Sequence, residues 1–141
     1  MTKTFLYAHV IWAVRQQESL LTKTVRVVLN AHLQKSAEEK GVKVLHVSGY
    51  TDHMHVLLHL HPAQNVAQVV RQLKAESTDW LNATKLLPVH FEWDNDFAAY
   101  SVSPNVLKQV MEYFDRQDEY HKLKSFDSEM EVFGKLQSGQ V

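Results

Sequence analysis

At 141 residues, with 45% hydrophobic and 22% charged residues, the chain has the size and composition of one globular domain. The absence of cysteine excludes disulfides, thiolate metal sites and cysteine nucleophiles. A formal net charge of -1 argues against a protein that coats duplex DNA by neutralising many phosphates, and the excess of acidic over basic residues lies after residue 111.

The sequence predicts no contact with a membrane. No apolar stretch approaches the length of a membrane span, and the N-terminus leads directly into a strand-like segment rather than a signal peptide. We therefore expect a cytoplasmic protein.

The first half of the chain predicts a strand, a helix and a pair of strands. Residues 5–14 are rich in aromatic and β-branched residues, which favours a first strand. Apolar residues recur at helical spacing from Thr22, a predicted N-cap, to Gly41, a predicted stop. Residues 42–49 predict a second strand, and a short turn joins it to a third, antiparallel strand that begins at His53.

The next part of the chain predicts a second long helix followed by short strands. Asn65 and Gln68 fit the two ends of a capping box, and the apolar stripe that follows continues to Asn82. Residues 91–93 and 97–102 predict short strands or edge segments on either side of a polar turn.

A third helix is predicted after Ser103, an N-cap, with Pro104 at its first position. Its predicted buried stripe consists of Leu107, Val110, Met111 and Phe114. Beyond residue 121 the sequence is charged, with a short helix predicted over residues 126–136. The order of elements predicts an α+β fold of ferredoxin-like type, an antiparallel sheet with helices packed on one face and the other face open for binding.

His53 and His55 stand two residues apart at the start of the third predicted strand. Side chains of a strand alternate between its faces, so both imidazoles point the same way and come within reach of one ion. The apolar residues Met54, Val56 and Leu58 then form the core face. This pattern alone is compatible with a metal site and with a structural role.

Two further histidines, His59 and His61, share this parity but lie farther along the strand, where we interpret them as surface or groove residues. No aspartate lies between His55 and His59. The spacing expected of a dinuclear metal hydrolase is therefore absent.

Tyr113 and Gln117 lie one turn apart on the third predicted helix, on the same flank and at the border of its apolar stripe. A tyrosine there can direct its hydroxyl into a cleft, and the glutamine carbonyl oxygen can bind an ion. The ordinary alternatives are a structural boundary tyrosine and a solvated glutamine.

Several segments resemble the single-tyrosine transposases that move small insertion sequences through single-stranded DNA, and the related REP-associated tyrosine transposases. Residues 50–58 resemble the family's motif of two histidines separated by a bulky hydrophobic residue, known as HUH. Residues 7–13 resemble its first strand, and residues 66–80 its following helix. Residues 93–103 resemble the segment before the tyrosine helix, and residues 112–122 resemble that helix. The resemblance spans nearly the whole chain in the same order.

The resemblance implies a catalytic domain over residues 1–124, followed by a charged tail over residues 125–141. It implies an endonuclease and strand transferase that cleaves and rejoins single-stranded DNA through a 5′-phosphotyrosine intermediate. Tyr113 would be the nucleophile. Tyr120 is a rival, but only Tyr113 lies one turn before Gln117.

The resemblance also implies a divalent ion, Mg²⁺ or Mn²⁺, held by His53, His55 and Gln117. The expected partners are single-stranded DNA with hairpin ends, from a mobile or repeat element, and a second copy of the chain in a homodimer. The candidates for guiding the DNA strand are His59, His61, Arg71 and Lys74.

Two other functions remain open on the sequence. The first is a non-catalytic or domesticated module of the same fold that binds single-stranded nucleic acid. The second is a metal-dependent phosphodiesterase that uses activated water, whose activity would survive replacement of the tyrosine.

Overall fold

The computed structural model of the protein describes residues 3–115. Its strands are β1 (Leu6–Ala13), β2 (Lys43–Gly49), β3 (His53–Leu60) and β4 (Ala98–Val102), and its helices are α1 (Lys23–Glu39), α2 (Val66–Thr84) and α3 (Leu107–Asp115). The strands form one antiparallel sheet in the order β2-β3-β1-β4. The predicted α+β fold of ferredoxin-like type is confirmed.

Helices α1 and α2 cover one face of the sheet and enclose the larger core. From β3 this core receives Met54, Val56 and Leu58, as the alternation of the strand predicts. The predicted start of α1 is confirmed, since the Thr22 side chain accepts a hydrogen bond from the Val25 backbone N–H.

The ends of the helices also agree with their local sequence. Gly41 follows α1 with φ at 74°, a left-handed conformation that glycine adopts at little cost. At the start of α2, the Asn65 side chain accepts from the Gln68 backbone N–H at 3.2 Å. Both helices therefore begin and end close to their predicted positions.

Helix α3 lies on the opposite face, which the sequence predicted to be open. Its residues Val110 and Tyr113 form a second, smaller core cluster with Ile11, Leu57 and Val102 of the sheet. The prediction of an open second face is therefore wrong where α3 packs. The physical reason is that Ile11, Leu57 and Val102 make this part of the face apolar, and the stripe of α3 buries it.

Two local predictions in the second half hold only in part. Residues 91–93 form no strand of the sheet but lie at its edge, where Trp93 bridges Val14 and the Glu92 carbonyl accepts from the Arg15 N–H at 3.1 Å. The Asn82 amide binds both the N–H and the carbonyl of Phe91, at 2.8 and 3.0 Å. After Ser103 the chain forms a 3-10 turn over Pro104–Val106 before α3 begins. The Ser103 hydroxyl binds the Asn105 side chain and caps no backbone N–H.

The predicted charged tail and its short helix over residues 126–136 lie outside the described residues, as do Gln117 and Tyr120. Among the helices of residues 3–115, none has the length and apolar character needed to cross a membrane.

Candidate active site

His53 and His55 lie on the face of β3 that α3 shares, and both are almost completely buried, at 1% and 0% exposure. Their ring centroids are 5.0 Å apart and the ring planes make an angle of 75°. In the register with β1, His53 lies opposite Ala13 and His55 opposite Ile11. The predicted juxtaposition of the two imidazoles is therefore present in the fold.

The tight turn before β3 depends on Gly49. A Cβ at this position would lie 2.8 Å from the Met54 sulfur and 2.9 Å from the His53 carbonyl oxygen, closer than real Cβ atoms approach. The same carbonyl accepts a hydrogen bond from the Tyr50 N–H at 3.0 Å. The absence of a side chain at Gly49 therefore lets the hairpin place the His53 backbone where it is.

Asp52 orients the first histidine. Its Oδ1 lies 2.7 Å from Nδ1 of His53, and the Asp52 carbonyl accepts from the Val14 N–H at 2.8 Å, which anchors the turn to the end of β1. An ionised carboxylate only accepts hydrogen bonds, so Nδ1 carries the imidazole proton and Nε2 is the nitrogen suited to bind an ion.

His9 of β1 orients the second histidine. It is completely buried, and its Nε2 lies 2.9 Å from Nδ1 of His55. The His9 and His55 rings are nearly parallel and meet edge to edge, with centroids 5.2 Å apart, and the Tyr100 ring lies 6.0 Å from His9. Sequence reasoning missed His9, although its parity with Ile11 on the first strand was a usable signal.

Tyr113 lies on the same side of the sheet as the two histidines. It is 6% exposed and packs in the cluster that contains Ile11 and Leu57. Ile11 is the direct β1 partner of His55, and Leu57 is the next residue of β3 on that face. The fold thus brings the predicted nucleophile to the histidine face, while Gln117, the predicted third ligand, lies beyond the described residues.

His59 and His61 lie toward the far end of β3 from this pair. The His59 ring packs on Tyr7 at 4.8 Å and its Nε2 donates to the Thr4 carbonyl at 3.0 Å. His61 is exposed, just past the strand, and both histidines line a groove of about 600 Å³ with Lys43.

Arg71 and Lys74 lie on α2, which covers the sheet face opposite the histidine pair. They line a groove of about 660 Å³. Lys74 donates to the carbonyls of Asp94 and Asp96, at 2.6 and 3.2 Å. Burial lowers the pKa of the Lys74 ammonium, and the two nearby carboxylates partly oppose this. The four predicted DNA-guiding residues are therefore divided between two separate grooves.

The donor set suits a divalent ion that keeps open positions. Within residues 3–115, no three side chains of His, Asp, Glu or Cys are grouped so as to hold a metal. His53 and His55 supply two imidazoles, each with Nδ1 hydrogen-bonded to a neighbour, which is the usual arrangement of metal-binding histidines. Gln117, the expected third ligand, lies outside the described residues.

Comparisons with known proteins identify the family of the chain. The family model described as "Transposase IS200 like" matches residues 2–117. The ISDra2 transposase TnpA of Deinococcus radiodurans is 27% identical over 115 residues, which cover 77% of this chain and 81% of the relative.

Two solved structures share the fold. A protein of Deinococcus radiodurans R1, solved as a candidate transposase, has a TM-score of 0.65 and 22% identity, and the match covers 83% of this chain and 98% of that one. A REP-associated tyrosine transposase bound to a REP hairpin has a TM-score of 0.63 and 16% identity, covering 86% of this chain and 74% of that one. Because the family model covers most of the sequence, including the histidine pair and Tyr113, the chain belongs to the family of IS200-like transposases.

Proposed function

We propose that the protein cleaves and rejoins single-stranded DNA, with Tyr113 as the nucleophile that forms a 5′-phosphotyrosine intermediate. The observation that carries this proposal is the position of Tyr113 on the sheet face that bears His53 and His55, in one core cluster with Ile11, the strand partner of His55. A nucleophile and two metal-type ligands on one face are the elements that phosphoryl transfer requires.

In the cleavage step the Tyr113 oxygen attacks the scissile phosphorus in line, and the bond from phosphorus to the 3′ oxygen breaks. The hydroxyl proton of Tyr113 passes to solvent, and the leaving 3′ oxygen takes up a proton to become a free 3′ hydroxyl. In the rejoining step a different 3′ hydroxyl attacks the phosphotyrosine and the tyrosine leaves. One phosphodiester replaces another, so the exchange needs no nucleotide cofactor.

His53 and His55 would hold Mg²⁺ or Mn²⁺ through their Nε2 atoms, with the Gln117 carbonyl oxygen as the proposed third ligand. When bound, such an ion acts as a Lewis acid on the phosphate oxygens. The protein's own contribution is to hold both rings in place, through Asp52 at His53 and through His9 at His55.

The proposed substrate is a single strand with a hairpin end. The structurally similar REP-associated transposase was solved bound to a REP hairpin, which supports this substrate class. The near-neutral net charge disfavours extensive coating of a duplex. We propose His59 and His61 in one groove, and Arg71 and Lys74 in the other, as contacts for the strand or its hairpin.

We also propose that the protein acts as a homodimer, in which a second copy can contribute to the histidine site. Within residues 3–115 no three His, Asp, Glu or Cys side chains are arranged to hold a metal, which is compatible with a site completed by a partner. Light scattering at micromolar concentration is expected to give the mass of a dimer, about twice 16.3 kDa. A monomeric mass would contradict this proposal.

The reaction itself is tested with a hairpin oligonucleotide labelled at either its 3′ or its 5′ end, incubated with the protein and Mg²⁺ or Mn²⁺. We expect a denaturant-resistant adduct that carries the 3′ label only, because the tyrosine retains the 5′ phosphate of the downstream fragment. The matched control is the fully paired duplex of the same sequence, which should give no adduct.

The other candidate functions give different results in the same assay. An enzyme that uses activated water would cut the strand without an adduct, and a binding module would retain the strand uncut. An adduct that carries the 5′ label would show the opposite polarity of attack. Each of these three results contradicts the proposed reaction.

A further inference from the structure

His9 is the least expected residue of the histidine cluster. It lies on β1, completely buried, and its Nε2 is within hydrogen-bond distance of Nδ1 of His55. The contact joins residues 46 positions apart in the chain, so it exists only once β1 and β3 have paired. A buried imidazole aimed at a predicted metal ligand indicates a function in the site beyond filling the core.

The bond between the two rings can have either direction, because a neutral imidazole carries one N–H and one lone pair. If His55 donates from Nδ1, its Nε2 holds a lone pair that can bind an ion. If His9 donates from Nε2, the His55 proton sits on its own Nε2 and blocks coordination. Only the first form of His55 can bind an ion through Nε2.

For His53, the hydrogen-bond partner permits only one tautomer. Its partner is the Asp52 carboxylate, which when ionised can only accept, so the competent tautomer of His53 follows from the chemistry of Asp52. His55 has a partner that can donate or accept. Whether His55 can bind an ion through Nε2 therefore depends on the tautomer of His9.

We infer that His9 is a positioning residue that accepts the Nδ1–H of His55 and so holds His55 in the tautomer whose Nε2 can bind a divalent ion. The inference rests on the proposed function in its metal site, and adds the residue that makes the second histidine a ligand. Packing of the His9 ring against Tyr100, with centroids 6.0 Å apart, keeps the acceptor nitrogen in place.

The first test needs no substitution in the site and no DNA. Long-range ¹H–¹⁵N correlation spectra of the ¹⁵N-labelled, metal-free protein report which nitrogen of each histidine carries the proton. We expect His55 protonated on Nδ1 and His9 carrying a lone pair on Nε2. A His55 ring protonated on Nε2 would overturn the inference, whatever the protein does to DNA.

The second test measures the Mn²⁺ dissociation constant by the electron paramagnetic resonance signal of free Mn²⁺. His9→Phe keeps a ring of similar size but removes the acceptor, and should weaken binding by roughly 10- to 100-fold, the usual effect of losing a hydrogen bond behind a metal ligand. His9→Gln offers its carbonyl oxygen near the original Nε2 position and should retain most of the affinity.

The matched control is His32→Phe in the helix layer, where the His32 Nε2 binds the Glu76 carboxylate and its ring stacks on Trp80. This change removes a comparable histidine hydrogen bond away from the sheet face and should leave Mn²⁺ affinity unchanged.

The outcomes separate the inference from the proposed function. Strong wild-type binding that His9→Phe does not weaken would overturn the role of His9 alone. Wild-type binding no stronger than that of His55→Ala would overturn the metal site and the inference together.

Discussion

Replacing Tyr113 with phenylalanine is expected to abolish the covalent protein–DNA adduct, lowering its rate of formation at least about 1,000-fold, because the attacking oxygen is removed. The ring remains in the cluster with Ile11 and Leu57, so the free energy of unfolding should change by no more than about 1 kcal/mol. Adduct formation is measured on denaturing gels with the 3′-labelled hairpin, and stability by thermal unfolding.

Two other tyrosines provide controls for this result. Tyr100→Phe changes a tyrosine of β4 that packs on His9, and Tyr120→Phe changes the rival candidate for the nucleophile. Both variants should still form the adduct. Persistence of the adduct in Tyr113→Phe together with its loss in Tyr120→Phe would assign the nucleophile to Tyr120 and contradict the proposal.

Replacement of His53 or His55 with alanine is expected to weaken Mn²⁺ binding at least about 100-fold, since loss of a direct ligand should cost no less than loss of a residue behind one. Adduct formation at a fixed, limiting Mn²⁺ concentration should fall in parallel. The dissociation constant is measured by the resonance signal of free Mn²⁺, and the adduct with the labelled hairpin.

His59→Ala is the matched control for these two variants. His59 belongs to the same strand and the same face, but its ring packs on Tyr7 and its Nε2 donates to the Thr4 carbonyl. The His59→Ala variant should therefore have the same Mn²⁺ affinity as the wild type. Equal affinities for wild type, His53→Ala and His59→Ala would show that the histidine pair does not bind the ion.

The sequence predicted the sheet and its two covering helices well because the signals for them are local. Alternation along β3 assigned Met54 to the core and His53 to the opposite face, and the Thr22 cap and Gly41 stop limited α1. The prediction was less complete where the backbone binds a side chain from another element. Residues 91–93 lie at the sheet edge as one of the two predicted forms, but the Asn82 amide of α2 binds both backbone groups of Phe91, and only Trp93 bridges the sheet.

The candidate site was predicted in part, for a related reason. The positions of His53 and His55 follow from the period of one strand, whereas the contact of His9 with His55 depends on the register between β1 and β3. No local pattern encodes that register. The packing of α3 over the histidine face likewise follows from the apolar residues of three strands together, which the helix stripe alone did not reveal.

The central claim is that Tyr113 becomes covalently joined to DNA, and its most direct test is peptide mapping of the adduct by mass spectrometry after nuclease and protease digestion. The account predicts a nucleotide attached through its 5′ phosphate to the Tyr113 oxygen. A nucleotide on Tyr120 or on any other residue, or a linkage through a 3′ phosphate, would contradict it.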